Sequence, residues 1–396
     1  MELVDLIKWL DKKGIIRASY DGVKVQRIFD GNYDRLFYDI TPKGKTICTD
    51  FSLSFEDVCI VPNHNDVASR NEVNLSTILT PKIALKSPLI AANMRCVTSA
   101  DFIIKLWSLG AFGILHRFYD TDKEMCAEIR KLRKAGVPAV ASCGIRPEML
   151  PTIKKMINAG AEAIVLDVAH ADGKAMIDMA KAIKGKHKDI ELIIGNICND
   201  SAVDKLAPYA SALKTGIGNG SICQTQHRTG AGGGQISSVM ECAAKAKEYG
   251  IPIISDGGIN EAGDVAKALI AGATSCMGGK IFARCPESAA EVITDDEGRR
   301  FKSYYGMASN KLKEQIGVNG DKPGSEGVAF LIPEGISCDK FVPEFLKLLR
   351  SSYTYSGAID LETLWKYGEL RKITPAAYQK GKPHVANHKG AIKISN

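Results

Sequence analysis

No run of 18 or more apolar residues occurs in this chain of 396 residues, and its start, Met1-Glu-Leu-Val-Asp5, has neither a basic flank nor an apolar stretch. Neither a membrane span nor a signal peptide is therefore expected. A C-x-x-C pair is also missing: eleven cysteines stand singly, at 48, 59, 96, 126, 143, 198, 223, 242, 276, 285 and 338. Such an odd, scattered set argues against a disulfide framework and a zinc site, and suits small buried hydrophobes in a reducing cytosol. Nor is there a run of five or more Lys/Arg, so the net charge of +7 suits anionic small molecules and disfavours nucleic acid. What remains is 45% hydrophobic and 24% charged, the balance of a globular protein with room for one large domain or two ordinary ones.

Between about residues 87 and 281, short apolar runs ending in Gly, Asn or Asp alternate with amphipathic stretches. The runs are 87–94, 112–116, 138–144, 163–169, 191–196, 212–218, 251–258 and 274–279. Nearly continuous apolar strands imply a sheet covered on both faces, hence parallel with helical crossovers. Residues 101–109, 123–135, 147–159, 173–184 and 261–271 read as helices. Eight units of this kind predict an α/β fold, a (β/α)8 TIM barrel, with an open doubly wound sheet as the alternative. Polar, Gly-rich strand ends spread over most of the strands favour the barrel. The expected organisation is an N-terminal extension (1–46), the barrel (47–375) with a flap inserted after the eighth strand (306–342), and a tail (376–396) that is irregular or ordered by a partner subunit. The flap expectation comes from Gly317-Val-Asn-Gly-Asp-Lys-Pro-Gly-Ser-Glu-Gly327, too rich in glycine and charge for a core.

The densest chemistry lies in Thr215-Gly-Ile-Gly-Asn-Gly-Ser-Ile-Cys-Gln-Thr225, at the end of the sixth strand. Its glycines allow a tight turn that aims backbone groups at a ligand. Cys223 at its tip is either a nucleophile favoured by nearby N–H groups or one more structural cysteine. Thr225 is placed to orient a proton. The seventh and eighth strand ends, Ser255-Asp-Gly-Gly258 and Met277-Gly-Gly279, carry glycine pairs where barrels bind phosphate, although tight turns need glycine anyway. Asp256 would accept ribose hydroxyls or cap a helix. Asp167 and Asn196 face the same mouth, as ligand contacts or as caps. His116 and Arg117 would meet an anionic cofactor group. Glu326, in the flap, is a solvated carboxylate or, on closure, an acid/base group.

Together these residues resemble the family of inosine-5′-monophosphate dehydrogenases and guanosine-5′-monophosphate reductases. The resemblance runs from about Phe51 to Gly357. It takes in Phe55-Glu-Asp-Val58, Ala91-Ala-Asn-Met94, the 216–225 loop, Ser255-Asp-Gly-Gly-Ile259 and Tyr305-Gly-Met-Ala-Ser309. It implies the family's barrel, a homotetramer and a nicotinamide cofactor. Carried over, Cys223 attacks C2 of the purine, with Thr225 and Glu326 as its catalytic companions. Ser221, Gly258 and Gly279 hold the 5′-phosphate with Tyr305, and Gly257, Gly278 and Gly306 belong to the same cup. Asp256 takes the ribose, and Met94 and Met307 flank the base. Arg117, Asp167, Ala169, Asn196, Arg228, Ser325 and Gly327 would serve the cofactor. Gly218, Gly220 and the Cys223 carbonyl resemble the family's potassium loop.

The branch is read from the flap. Where the dehydrogenase carries an Arg-Tyr pair that activates water, this chain has Asn319-Gly-Asp-Lys322. Thr225 and Ser325-Glu326-Gly327 resemble the reductase, and His116-Arg-Phe118 runs on to Lys123 without room for an inserted regulatory module. Leu331-Ile-Pro-Glu-Gly-Ile336 and the tail near Lys382-Pro-His384 instead resemble the dehydrogenase. Pro323 replaces the arginine expected before Ser-Glu-Gly, and Arg95 replaces a common aspartate. The resulting expectation is a GMP reductase using NADPH. The alternatives are an IMP dehydrogenase using NAD⁺ and a non-catalytic purine-nucleotide sensor.

Overall fold

The computed structural model describes residues 51–306 and 328–382, with the backbone of three short strands nearer the N-terminus. The chain divides into two compact units, Met1–Ser52 and Leu53–Asn396. The first holds a three-stranded antiparallel sheet of Arg17–Ala18, Phe37–Ile40 and Lys45–Cys48.

The second is built on eight parallel strands. They are β1 (Leu89–Ala91), β2 (Phe112–Gly113), β3 (Val140–Cys143), β4 (Ala163–Asp167), β5 (Glu191–Ile197), β6 (Ala212–Thr215), β7 (Ile253–Asp256) and β8 (Ser275–Gly278). Pairing runs β2-β1-β8-β7-β6-β5-β4-β3, and a parallel bridge from Leu115 to Ala141 joins the ends. There the Leu115 N–H donates to the Val140 carbonyl at 3.0 Å, and the Leu115 carbonyl accepts from Ser142 at 2.9 Å. The sheet is thus closed into the expected (β/α)8 barrel. Every residue of β3, β6 and β8 is buried. Coverage on both faces is why these runs read as continuous and not alternating.

Helices follow in turn: α1 (Ala100–Ser108), α2 (Asp122–Lys134), α3 (Leu150–Asn158), α4 (Lys174–Lys186), α5 (Asp200–Leu206), α6 (Gln235–Ala246), α7 (Ala262–Ile270) and α8 (Cys338–Tyr355). Side-chain caps start several of them. Ser99 Oγ accepts from the Phe102 N–H, Thr121 Oγ1 from Glu124 and Asn199 Oδ1 from Ala202, each satisfying a backbone donor the helix leaves unpaired. Three of these eight helices were not read from the sequence. Helix α5 spans only seven residues, α6 starts at Gly234 without a capping side chain, and α8 holds Pro343. Helix α8 packs on α7, with Phe282 edge-on to both Phe102 and Phe341 beneath it.

Between β8 and α8 lies an antiparallel sheet of Val292–Thr294, Arg300–Tyr305 and Ala329–Pro333. Tyr305 pairs with Ala329, and the Gly306 N–H donates to the Val328 carbonyl at 3.0 Å. The expected flap is therefore rooted in paired strands, and residues 338–342 belong to α8. The start of the tail is not irregular: Pro375–Lys380 is a helix capped by Thr374. Among the described residues no helix is long and apolar enough to cross a membrane. No cluster of His, Cys, Asp and Glu there could hold a metal, and the described cysteines are all free.

Candidate functional site

The carboxyl ends of the strands open onto a cavity of about 510 Å³, lined in part by Met94, Arg117, Asp167, Cys223 and Asp256. The loop after β6 forms one wall. Gly216 and Gly218 have φ of +141° and +87°, values an L side chain rarely adopts. The turn they permit brings Cys223 out to an exposed position, its N–H donating to the Gly220 carbonyl at 2.9 Å. The thiol donates to Thr225 Oγ1 at 3.2 Å. Both residues line the cavity.

Against this loop lies a close-set glycine cup. A Cβ on Gly257 would lie 3.1 Å from the Gly220 nitrogen, and one on Gly258 3.1 Å from the Phe55 ring. Gly279, Ser221, Gly306 and Lys280 complete it. The tyrosine assignment needs correction. Successive residues of the strand Arg300–Tyr305 point to opposite faces, and Tyr304 is the one on the cavity. Its hydroxyl hydrogen-bonds Ser221 and would meet a Cβ on Gly279 at 2.5 Å. Tyr305 is buried away from the cavity, its carbonyl accepting from the Cys96 thiol. Gly278 is likewise off the wall, because it belongs to β8 and faces Ile281.

The residues expected to serve a cofactor are brought together only in part. Asp167, Ala169, Asn196 and Arg117 line the cavity. Arg228 does not: it is exposed on the short helix Thr225–Thr229, and its Nε donates to Gln224 Oε1 at 2.7 Å. His116 is no anion contact either. Its Nδ1 accepts from the Phe118 N–H at 3.0 Å, and its ring stacks on Tyr119. Burial, then the Arg95 charge, pushes it down to about 3, so the ring is neutral. Met307, Ser325, Glu326 and Gly327 lie outside the described residues.

Two buried polar residues at the heart of the site went unread. Lys214 on β6 is 3% exposed and pairs with Asp256 at 2.5 Å and Asp167 at 3.1 Å. Burial alone would lower its pKa, but Asp256 and Asp167 outweigh it and hold the ammonium charged. Burial likewise opposes ionisation of Asp167, yet Lys214 and then Arg117 hold its carboxyl below the usual range. Gln235, at the start of α6, donates to the Thr215 carbonyl at 2.8 Å and to Ser255 Oγ at 3.0 Å. It accepts from Asn219 of the cysteine loop at 2.8 Å. The signal for Lys214 was a charged residue inside an otherwise apolar run, which a buried partner must explain; Gln235, first in a helix of mixed composition, gave none.

The chain was compared with known proteins. The family model described as "IMP dehydrogenase / GMP reductase domain" matches residues 52–384. A GMP reductase of Ligilactobacillus salivarius is 34% identical over 317 residues, 79% of this chain and 94% of the relative. An inosine-5′-monophosphate dehydrogenase of Chlorobaculum tepidum is 35% identical over 335 residues, 80% of this chain and 68% of the relative. One from Cryptosporidium parvum is 31% identical over 394 residues, 84% and 94% of the two chains. With the closed barrel and the cysteine loop at its mouth, these matches place the chain in the IMP dehydrogenase / GMP reductase family.

Proposed function

We propose that this chain is a GMP reductase, converting GMP, NADPH and protons to IMP, ammonia and NADP⁺. The family to which it belongs comprises NAD(P)-dependent oxidoreductases of purine nucleotides. The observation that carries the finer reading is the Cys223–Thr225 contact of 3.2 Å together with the tether beside it. The Val328 N–H donates to the Ile222 carbonyl at 3.3 Å, stitching the strand that returns from the flap to the residue before Cys223. Glu326, the carboxylate of this reading, precedes Val328 by two residues in the sequence.

In this reading the Cys223 sulfur bonds C2 of the purine while the C2–N2 bond breaks, and Thr225 with Glu326 delivers the proton that lets the amine leave as ammonia. Bound NADPH would supply the hydride for C2. The C–S bond breaks as IMP forms, and the thiolate is regenerated. Gly257, Gly258, Gly279, Ser221 and Tyr304 fit the 5′-phosphate, Asp256 the ribose and Met94 the base. The cofactor fits Arg117, Asp167, Ala169 and Asn196. Arg117 Nε is buried without a hydrogen-bond partner, 3.9 Å from Asp167, a donor suited to an anionic cofactor group. A potassium ion would be held by the Gly218, Gly220 and Cys223 carbonyls, bracing the loop while no bond changes at the ion.

Reduced-nicotinamide absorbance distinguishes the branches. GMP with NADPH should lose absorbance and release ammonia, whereas IMP with NAD⁺ should give no gain. The reverse result makes the chain a dehydrogenase, a name borne by relatives of equal similarity. Binding of GMP or IMP with neither turnover marks a sensor. Glu326→Gln should slow deamination by about 10²-fold or more and leave the GMP Kd within about threefold. Full activity in that variant removes the flap glutamate from the mechanism.

A further inference from the structure

We propose that Lys214 is a positioning residue: its one ammonium holds Asp256 and Asp167 together and so ties the nucleotide half of the cavity to the cofactor half. The nucleotide role given to Asp256 rests on the purine-nucleotide reading above; the ionic arrangement does not.

A lysine in the middle of a fully buried strand is costly unless its charge is matched. Here the match is drawn from three other strands. Lys214 Nζ, from β6, lies 2.5 Å from Asp256 Oδ2 at the end of β7 and 3.1 Å from Asp167 Oδ1 at the end of β4. It also donates to Asn196 Oδ1 on β5. Asn196 Nδ2 donates in turn to Asp256 Oδ2 at 2.9 Å and to the Gly216 carbonyl at 2.6 Å. Both bonds to Asp256 thus go to Oδ2, which orients the carboxylate and leaves Oδ1 for a sugar hydroxyl in the cavity that Asp256 lines. Asp167 is held by the same cation through Oδ1 and by the Asn93 amide, while its Oδ2 faces Arg117 at 3.9 Å. No other cation is paired with Asp256 among the described residues.

Two carboxylates sharing one buried ammonium make a testable charge count. Without Lys214, Arg117 remains near Asp167 only, and the pair of carboxylates would take up a proton at neutral pH. That proton binds the folded state more tightly than the unfolded one. The variant's stability should therefore fall as pH rises, because the unfolded state binds fewer protons. Its nucleotide affinity should rise with pH, because the ionised carboxylate is the stronger acceptor of a sugar hydroxyl.

The full chain is prepared as wild type, Lys214→Met, Lys214→Gln and Lys214→Arg. Thermal melting and calorimetric titration with GMP and with IMP are followed from pH 6 to 8.5. Lys214→Met and Lys214→Gln should bind the preferred nucleotide about tenfold or more weakly at pH 6 than at pH 8.5. Their melting temperatures should drop across the same range relative to wild type, whereas Lys214→Arg should follow wild type in both. Neutral variants that match wild type at every pH overturn the proposal. So does a uniform loss of affinity without a pH limb, which is what a merely structural lysine gives. Failure of both neutral variants to fold even at pH 6, where protonation should relieve the carboxylates, also counts against it. Wild type binding neither nucleotide would instead sink the purine reading, and the melting series alone would then judge Lys214.

Discussion

Alanine at Cys223 should leave GMP bound and stop its turnover, lowering kcat by about 10⁴-fold or more. The expectation follows from where the sulfur sits and what else could replace it. Cys223 is exposed at the tip of a loop, bonded to Thr225 and open to the cavity. No other described cysteine lines that cavity. Cys143 and Cys242, in the barrel wall and on α6, are buried, and burial pushes each thiol up to about 12, so neither supplies a thiolate. Removing the sulfur touches none of the groups that fit the phosphate or ribose, so the GMP Kd should change by no more than about threefold. Wild type quenched during turnover should carry a nucleotide adduct by intact mass, and Cys223→Ala should not. Serine tests the nucleophile itself. A hydroxyl has the shape but not the acidity, and Cys223→Ser turning over at the wild-type rate would take the S–C2 bond off the reaction path.

The barrel was legible because burial on both faces of a parallel sheet writes itself as apolar runs of strand length, and all eight runs became strands. The ends were over-read. The run 112–116 became a two-residue strand, since Ile114 to His116 leave the ladder except for the bridge at Leu115. The cysteine loop and the glycine cup were legible for a different reason. Glycine at positive φ beside a polar residue is a local signal, and Gly257 and Gly258, at +100° and +79°, are required by the turn itself. What stayed hidden is non-local. Tyr304 and Tyr305 are neighbours of one type, and only the pleat of their strand decides which meets Ser221. Lys214 is a single letter in an apolar run, and its meaning comes from aspartates 47 residues before it and 42 after it, brought beside it by closure of the sheet. Gln235 bridges β6, β7 and the cysteine loop from the first turn of α6, a geometry no spacing rule encodes.

That bridging makes Gly216 the position where one methyl group should do most damage to the fold of the site. Gly216 follows β6, and its N–H donates to the Ile197 carbonyl at 2.9 Å. A Cβ built there would stand 2.0 Å from the Asp256 carbonyl and 2.7 Å from Gln235 Oε1. Neither neighbour is the free end of a flexible chain. One is the backbone of Asp256, and the other is an amide 1% exposed and bonded on both sides. Backbone strain at φ +141° adds about 1–3 kcal/mol, and forced overpacking about 1–3 kcal/mol more. Gly216→Ala should therefore lose about 2–6 kcal/mol of a total near 5–15 kcal/mol, a fall in Tm of roughly 10 °C for a domain of this size. Gly230→Ala is the control. It has φ of +75° but nothing within 4 Å of the added methyl, so only the left-handed backbone cost of about 1–2 kcal/mol applies. If both variants melt together, steric closure at the Asp256 carbonyl contributes nothing. A Gly216→Ala protein that melts far below Gly230→Ala, with GMP binding weakened more than stability alone explains, locates the brace between the cysteine loop and Asp256 at that one contact.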